Sequence, residues 1–281
     1  VHSLQRIKHL ALDLDGTLYL GGRLFACTDP FLKQISSLGI GRTFFTNNSS
    51  VSTQGYVEKL KKLGIGAAAN DIFSSTTATL TYLGDLDPAP QALYVLGTPA
   101  LRQEFADGGF RLCGNTQQER QEEPDAVIVG FDSTLDYPRL CEAAYWITRG
   151  KRYLATNGDF VCPTDQPIVL PDCGSFCRLL AAATGREPDA VLGKPAPAML
   201  GGVMRRHNLR PENIAVVGDR LYTDIAMAHA AGAMGILVLS GEATRTQAET
   251  GSVRPDLIVQ DVGELSRLLA ESRRSAQCQM A

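Results

Sequence analysis

The sequence predicts an α/β fold, a parallel-sheet core into which a second, smaller α/β domain is inserted. Three observations carry this. Short apolar runs alternate with amphipathic stretches along the whole chain, the pattern of repeated strand–helix–strand units. Most of those runs end in Asp, Asn, Gly or Ser, so polar groups gather beyond the carboxyl ends of the strands, where open parallel sheets hold their ligands. Two polar, proline-bearing seams interrupt the pattern, LGDLDPAPQ (Leu83–Gln91) and TGREPDA (Thr184–Ala190), and the chain between them alternates in the same way by itself. The resulting boundaries are 1–81 and 185–281 for the core and 82–184 for the inserted domain.

In order along the chain, HLALDLD, GRTFFTNN, ALYVLG, DAVIVGF, KRYLATN, NIAVVGD and MGILVLSG read as strands. Each is apolar at consecutive positions, as a strand covered on both faces must be. DPFLKQISSLG, TQGYVEKLKKLG, RLCEAAYWITRG, PAPAMLGGVMRRHNL and YTDIAMAHAAG read as helices between them. Several close on glycine, which tolerates the left-handed backbone that ends a helix.

Composition narrows the function classes. The chain has 281 residues, 44% hydrophobic and 20% charged, with a net charge of -3. No run of basic residues provides the electrostatic footprint of a nucleic-acid binder, so no nucleic-acid partner is expected. No apolar run reaches the roughly 18 residues of a membrane span. The first residues lack the apolar core of a secretory signal, and a cytoplasmic protein is expected. The seven cysteines are scattered, without a C-x-x-C pair or zinc spacing, and read as buried reduced thiols.

Four polar strand ends carry chemistry: DLDGT (Asp13–Thr17), TNNSS (Thr46–Ser50), GKP (Gly193–Pro195) and GDRLYTD (Gly218–Asp224). Asp13 and Asp15 stand two apart at the end of a strand and start on one face. Two such carboxylates repel and are costly to bury, so a group of opposite sign is expected beside them. Asp219 ends another strand, and Asp224 follows about a helical turn later. Carboxylates converging at one sheet edge make a hard oxygen site suited to magnesium. A calcium loop starting at Asp13 fails, because Leu18 stands where glycine is required and Leu24 where glutamate is required. Thr46 offers a hydroxyl, and Asn47, Asn48 and Ser49 offer backbone N–H groups, both suited to an anion. Lys194 supplies a fixed positive charge, and Pro195 after it rules out a Walker loop. Together these are the parts of a phosphoryl-transfer site.

In their order and setting, the four segments resemble the motifs of the haloacid dehalogenase superfamily of phosphohydrolases. The chain is similar in particular to the NagD-like or nitrophenylphosphatase-like branch, which carries a large α/β cap between the second and third motifs. The long stretch between Thr46 and Lys194 fits that insertion, and LYVLGTPAL, YLATNGDF and ILVLSGEAT read like the same branch. The resemblance implies a Rossmann-like core, Mg2+ as cofactor and hydrolysis of small phosphorylated metabolites through an aspartyl-phosphate. It implies Asp13 as nucleophile and Asp15 as the acid and base that serves the leaving oxygen and then water. Asp13, the Asp15 carbonyl and Asp219 would hold the metal. Thr46, Asn47, Asn48 and Lys194 would bind the phosphoryl group, with Thr46 and Lys194 counted in the catalytic set, and Asp224 would orient Lys194 or the metal shell. A homodimer through the cap is the assembly this resemblance leaves open, and no membrane partner is expected.

Asp15 argues against dehalogenation, because a halide leaves without a proton. A phosphotransferase or phosphomutase of the same superfamily keeps both aspartates and stays an alternative, as does a non-catalytic phosphate-binding or receiver-like regulatory protein. Mutases of the superfamily more often place a helical cap after the first motif, and the spacing from Asp13 to Thr46 is short for one. Substrate choice is expected in the cap, where the loop-like segment Ala155–Ser175 supplies Asn157, Asp159 and Asp165 as candidates. A histidine in this segment marks the pyridoxal-phosphate phosphatases of the branch, and none is present. Trp146 is expected in the cap core, and the four histidines are assigned no role.

Overall fold

The computed structural model describes residues 4–114, 122–164 and 166–280, with side chains to residue 275. The chain divides into two compact units, one of residues Val1–Phe45, Val57–Phe73 and Lys194–Ala281, the other of Thr46–Tyr56 and Ser74–Gly193.

The first unit is built on a six-stranded sheet in the order Leu257–Val259, Met234–Val238, Ile214–Gly218, His9–Asp13, Gly41–Thr46, Ile72–Ser74. The central strand His9–Asp13 runs parallel to both neighbours, with Leu12 in register with Val217 and Asp13 in register with Phe45. All five of its residues are buried, as are all five of Ile214–Gly218, because helices cover both faces. This explains the uninterrupted apolar runs of the sequence. Parallel neighbours end together, so the residues after Leu12 and after Val217 emerge side by side at one edge.

The second unit has a five-stranded parallel sheet in the order Ala190–Val191, Arg152–Ala155, Ala126–Val129, Ala92–Leu96, Arg111–Cys113. Successive side chains of a strand point to opposite faces, and two cores result. Tyr94, Leu96, Val127, Val129, Tyr153 and Ala155 pack on one face against the helices Tyr137–Thr148 and Cys173–Thr184. Leu93, Val95, Ala126, Ile128 and Leu154 pack on the other, with Leu101 and Phe105 of the helix Pro99–Asp107. Trp146 lies against the first of these cores, as expected. Asp136 and Thr98 cap their helices by accepting the backbone N–H of Arg139 and Leu101.

Every strand and helix predicted above is present, with ends moved by a few residues. The strands Ile72–Ser74, Arg111–Cys113 and Leu257–Val259 were not predicted; they are three residues long, too short to show a period. Among the described residues no helix is long and apolar enough to cross a membrane. None of the six cysteines with described side chains forms a disulfide.

Candidate active site

Two strand ends and the loop before one helix build a buried ionic cluster in the first unit. Asp13 is the last residue of the central strand, and Asp219 follows the neighbouring strand directly. From Asp219 the chain enters a wide π-helical turn, Leu221–Ile225, which carries Asp224 back towards the strand ends. One carboxylate oxygen from each of Asp13, Asp219 and Asp224 lies within 4.8 Å of the other two. Lys194, just before the helix Pro197–His207, sends its ammonium among them. Its Nζ donates to Asp13 Oδ1 at 2.5 Å and to Asp224 Oδ1 at 2.7 Å. All four side chains are buried.

The electrostatics follow from burial and like charge. Burial pushes the Asp13 carboxyl up to about 8, Lys194 opposes the rise, and Asp224 and Asp219 add to it. Burial and Asp224 push Asp219 up to about 6, against the Glu242 N–H, Arg220 and Lys194. Burial works against the Lys194 charge, yet Asp13 and Asp224 outweigh it and hold the ammonium above the ordinary lysine value. The cluster therefore carries more negative charge than its one lysine balances.

Close backbone approach shapes the cluster. Gly16 has φ +87°, and a Cβ there would stand 2.4 Å from Asp219 Oδ2, so only glycine fits on both counts. Thr17 Oγ1 donates to Asp13 Oδ2 at 3.3 Å. Asp224 uses its second oxygen to accept the Arg220 N–H at 3.2 Å and the Thr223 hydroxyl at 3.3 Å. Occupied in this way, Asp224 is a fixed acceptor for Lys194.

Asp15 does not join the cluster. The strand ends at Asp13, so the alternation expected to keep the pair on one face no longer applies. The Asp15 carboxylate instead faces Lys59, with Oδ2 3.6 Å from Nζ, and Lys59 lies 4.4 Å over the Tyr19 ring. Burial raises the Asp15 pKa and Lys59 opposes it. Sequence reasoning missed Lys59, because it stands in VEKLKKLG, where three lysines look like one solvated helix face. It also missed Glu242, whose N–H donates to Asp219 Oδ2 at 2.7 Å.

The remaining predicted residues belong to the second unit. Thr46 Oγ1 accepts the Asn48 N–H at 3.2 Å and lies 3.2 Å from the Tyr56 hydroxyl. The Asn47 carbonyl accepts from Ser75 Oγ at 2.7 Å and from Asn157 Nδ2 at 2.9 Å, while Asn47 Nδ2 donates to Asp159 Oδ2 at 3.1 Å. Asn157 and Asp159 are thus brought together with Asn47, all three buried. Asn48 takes up an Asx turn with Ser50 and donates to Cys162 Sγ. Asp165 lies outside the described residues.

The donor set fits a magnesium ion. Asp13, Asp219 and Asp224 offer carboxylate oxygens, the hard donors magnesium takes, and an octahedral ion about 2.1 Å from each ligand holds its oxygens about 3–4 Å apart, compatible with the spacing of this cluster.

Comparison with known proteins places most of the chain in one family. Residues 10–111 match the family model described as haloacid dehalogenase-like hydrolase, and residues 191–265 match the one described as HAD-hydrolase-like. A D-glycerol 3-phosphate phosphatase of Mycobacterium tuberculosis is 36% identical over 233 residues, which are 83% of this chain and 63% of the relative. The chain thus spans less than two thirds of that relative's length. The crystal structure of a 4-nitrophenylphosphatase from Thermotoga maritima superposes with a TM-score of 0.87 at 36% identity, over 95% of this chain and 99% of the other. The glycerol phosphate phosphatase from M. tuberculosis, solved in complex with magnesium, superposes with a TM-score of 0.83 at 35% identity, over 96% of this chain and 80% of the other. The chain belongs to the haloacid dehalogenase-like hydrolase family, among its NagD-like and nitrophenylphosphatase-like phosphatases.

Proposed function

We propose that the protein is a Mg2+-dependent phosphomonoester hydrolase that acts on small phosphorylated metabolites through an aspartyl-phosphate on Asp13. The observation that carries this reading is the Lys194 ammonium held between Asp13 and Asp224 beside Asp219. One carboxylate oxygen of Asp13 attacks phosphorus in line as the bond to the leaving oxygen breaks. Asp15 gives that oxygen a proton, then takes one from the water that attacks the aspartyl-phosphate and releases inorganic phosphate. Lys194 offsets the charge of the transferring group and opposes the rise that burial gives the Asp13 carboxyl, so it favours the ionised form that attacks. Thr46 and the backbone of Asn47 bind phosphoryl oxygens, and Asn48 supports them through its N–H on Thr46 Oγ1. Asp13, the Asp15 carbonyl and Asp219 hold Mg2+, which when bound neutralises negative charge developing on the phosphoryl oxygens. Asp224 keeps Lys194 in place.

The segment 82–184 acts as the cap that selects the substrate, with Asn157 and Asp159 fixed against Asn47. The name of the mycobacterial relative makes glycerol 3-phosphate the first substrate to test. The experiment measures release of nitrophenol from p-nitrophenyl phosphate, and of phosphate from a panel of sugar and polyol phosphates, with Mg2+ and with EDTA. Hydrolysis that needs Mg2+ is expected. A full rate in EDTA after exhaustive dialysis rejects the metal assignment, and no release from any ester rejects the activity.

A further inference from the structure

Between the strand Met234–Val238 and the helix Arg245–Thr250, the loop Leu239–Thr244 runs against the candidate metal site. Three hydrogen bonds tie it there. Ser240 Oγ donates to the Gly16 carbonyl at 2.8 Å. The Glu242 N–H donates to Asp219 Oδ2 at 2.7 Å, and the Ala243 N–H to the Asp219 carbonyl at 3.1 Å. At Gly241 a Cβ would stand 2.0 Å from Asp219 Oδ2, so the bare backbone lies flat on that carboxylate. The Glu242 side chain then reaches back over the next residue. Its Oε2 lies 2.8 Å from Arg220 Nε and accepts the Tyr222 hydroxyl at 3.3 Å. Arg220 is largely buried, 12% exposed, and Glu242 is 49% exposed.

We infer that Glu242, through its ion pair with Arg220, is a positioning residue that sets the Asp219 carboxylate for the divalent cation. This rests on the proposed reading of Asp219 as a metal ligand. A half-exposed ion pair contributes little to stability, at most about 1 kcal/mol. Its placement gives it another effect. Residue 242 holds Asp219 by its backbone and Arg220 by its side chain, so the pair closes a ring of contacts around the ligand oxygen. Partners of this kind fix ligand orientation, and their loss costs metal affinity about 10–100-fold. Neither Glu242 nor Arg220 is assigned contact with the reacting atoms.

The test separates positioning from simple charge. Glu242→Gln removes a negative charge near the cation, and Arg220→Met removes a positive one. Acting through space alone, the first weakens Mg2+ binding and the second strengthens it. Positioning predicts that both weaken it, each about tenfold, and that the double variant is no weaker than either alone. Mg2+ affinity is measured on the substrate-free protein by titration calorimetry and by the Mg2+-induced rise in melting temperature, so turnover is not needed. Melting temperatures without metal should stay within about 3 °C of the parent. Opposite signs for the two single variants overturn the inference, as does unchanged affinity or a collapse of metal-free stability, which makes the pair merely structural. If the parent binds Mg2+ and Asp219→Asn loses it while Glu242→Gln does not, this inference alone fails. If the parent binds no Mg2+, the reading beneath it fails as well.

Discussion

Lys194 and Asp224 form a buried ion pair at 2.7 Å, and the same ammonium reaches Asp13 from the other side. A buried charge that loses a partner is expensive, because no water replaces what was removed. Asp224→Asn keeps the shape and the backbone hydrogen bond from Arg220 but leaves Lys194 with Asp13 alone. The expected loss is about 3 kcal/mol of unfolding free energy, read from urea melts. A loss below about 0.5 kcal/mol would show that Lys194 is held by its surroundings and not by Asp224.

Asp13→Asn is expected to leave the fold and abolish turnover, by more than about a thousandfold on any phosphate ester. The amide preserves volume in a buried position and cannot form the acyl-phosphate. Single-turnover assays with circular dichroism as the folding check decide this. A variant that still hydrolyses at a tenth of the parent rate rules Asp13 out as nucleophile.

Asp15 faces Lys59 and stands apart from the cluster, which suits a group that exchanges protons while another attacks. Asp15→Asn should slow alkyl phosphates about a hundredfold and nitrophenyl phosphate clearly less, since nitrophenolate leaves with little help. Equal slowing of both substrates would remove Asp15 from the role of leaving-group acid.

His9 makes a pH prediction away from the site. It is buried at the start of the central strand, its Nε2 2.9 Å from Thr43 Oγ1 and its ring 4.6 Å from that of His207. Burial, and next His207, lower its pKa to about 4, with Asp71 opposing. The folded protein therefore binds this proton less readily than the unfolded chain, whose histidine titrates near 6.5. The contribution of neutral His9 to stability is complete above about pH 6.5 and is lost as the pH falls from there towards 4. From pH 7 to pH 5 the parent should lose about 2 kcal/mol more than His9→Gln, which keeps a partner for Thr43 and does not titrate. Parallel stability curves for the two proteins would show that His9 titrates alike folded and unfolded.

Much of this protein was legible in the sequence. The apolar runs determined the strands, because a strand buried on both faces has apolar residues at consecutive positions. Parallel neighbours then had to end together, and DLDGT and GDRLYTD had to meet at one sheet edge. Asp13, Asp219, Asp224 and Lys194 could be named on that ground, and the structure brings them together. Tertiary structure alone decided which oxygens face which cation. Asp15 turned to Lys59 because the strand stops two residues before it, and Lys59 comes from a helix whose lysines look alike in sequence. Glu242 met Asp219 and Arg220 because two parallel strands deliver their following loops to the same place. Strand and helix patterns arise from neighbours along the chain, and one sequence carries them. Partner choice among charged side chains arises from distances of a few ångströms between distant segments, and those exist only once the sheet has formed.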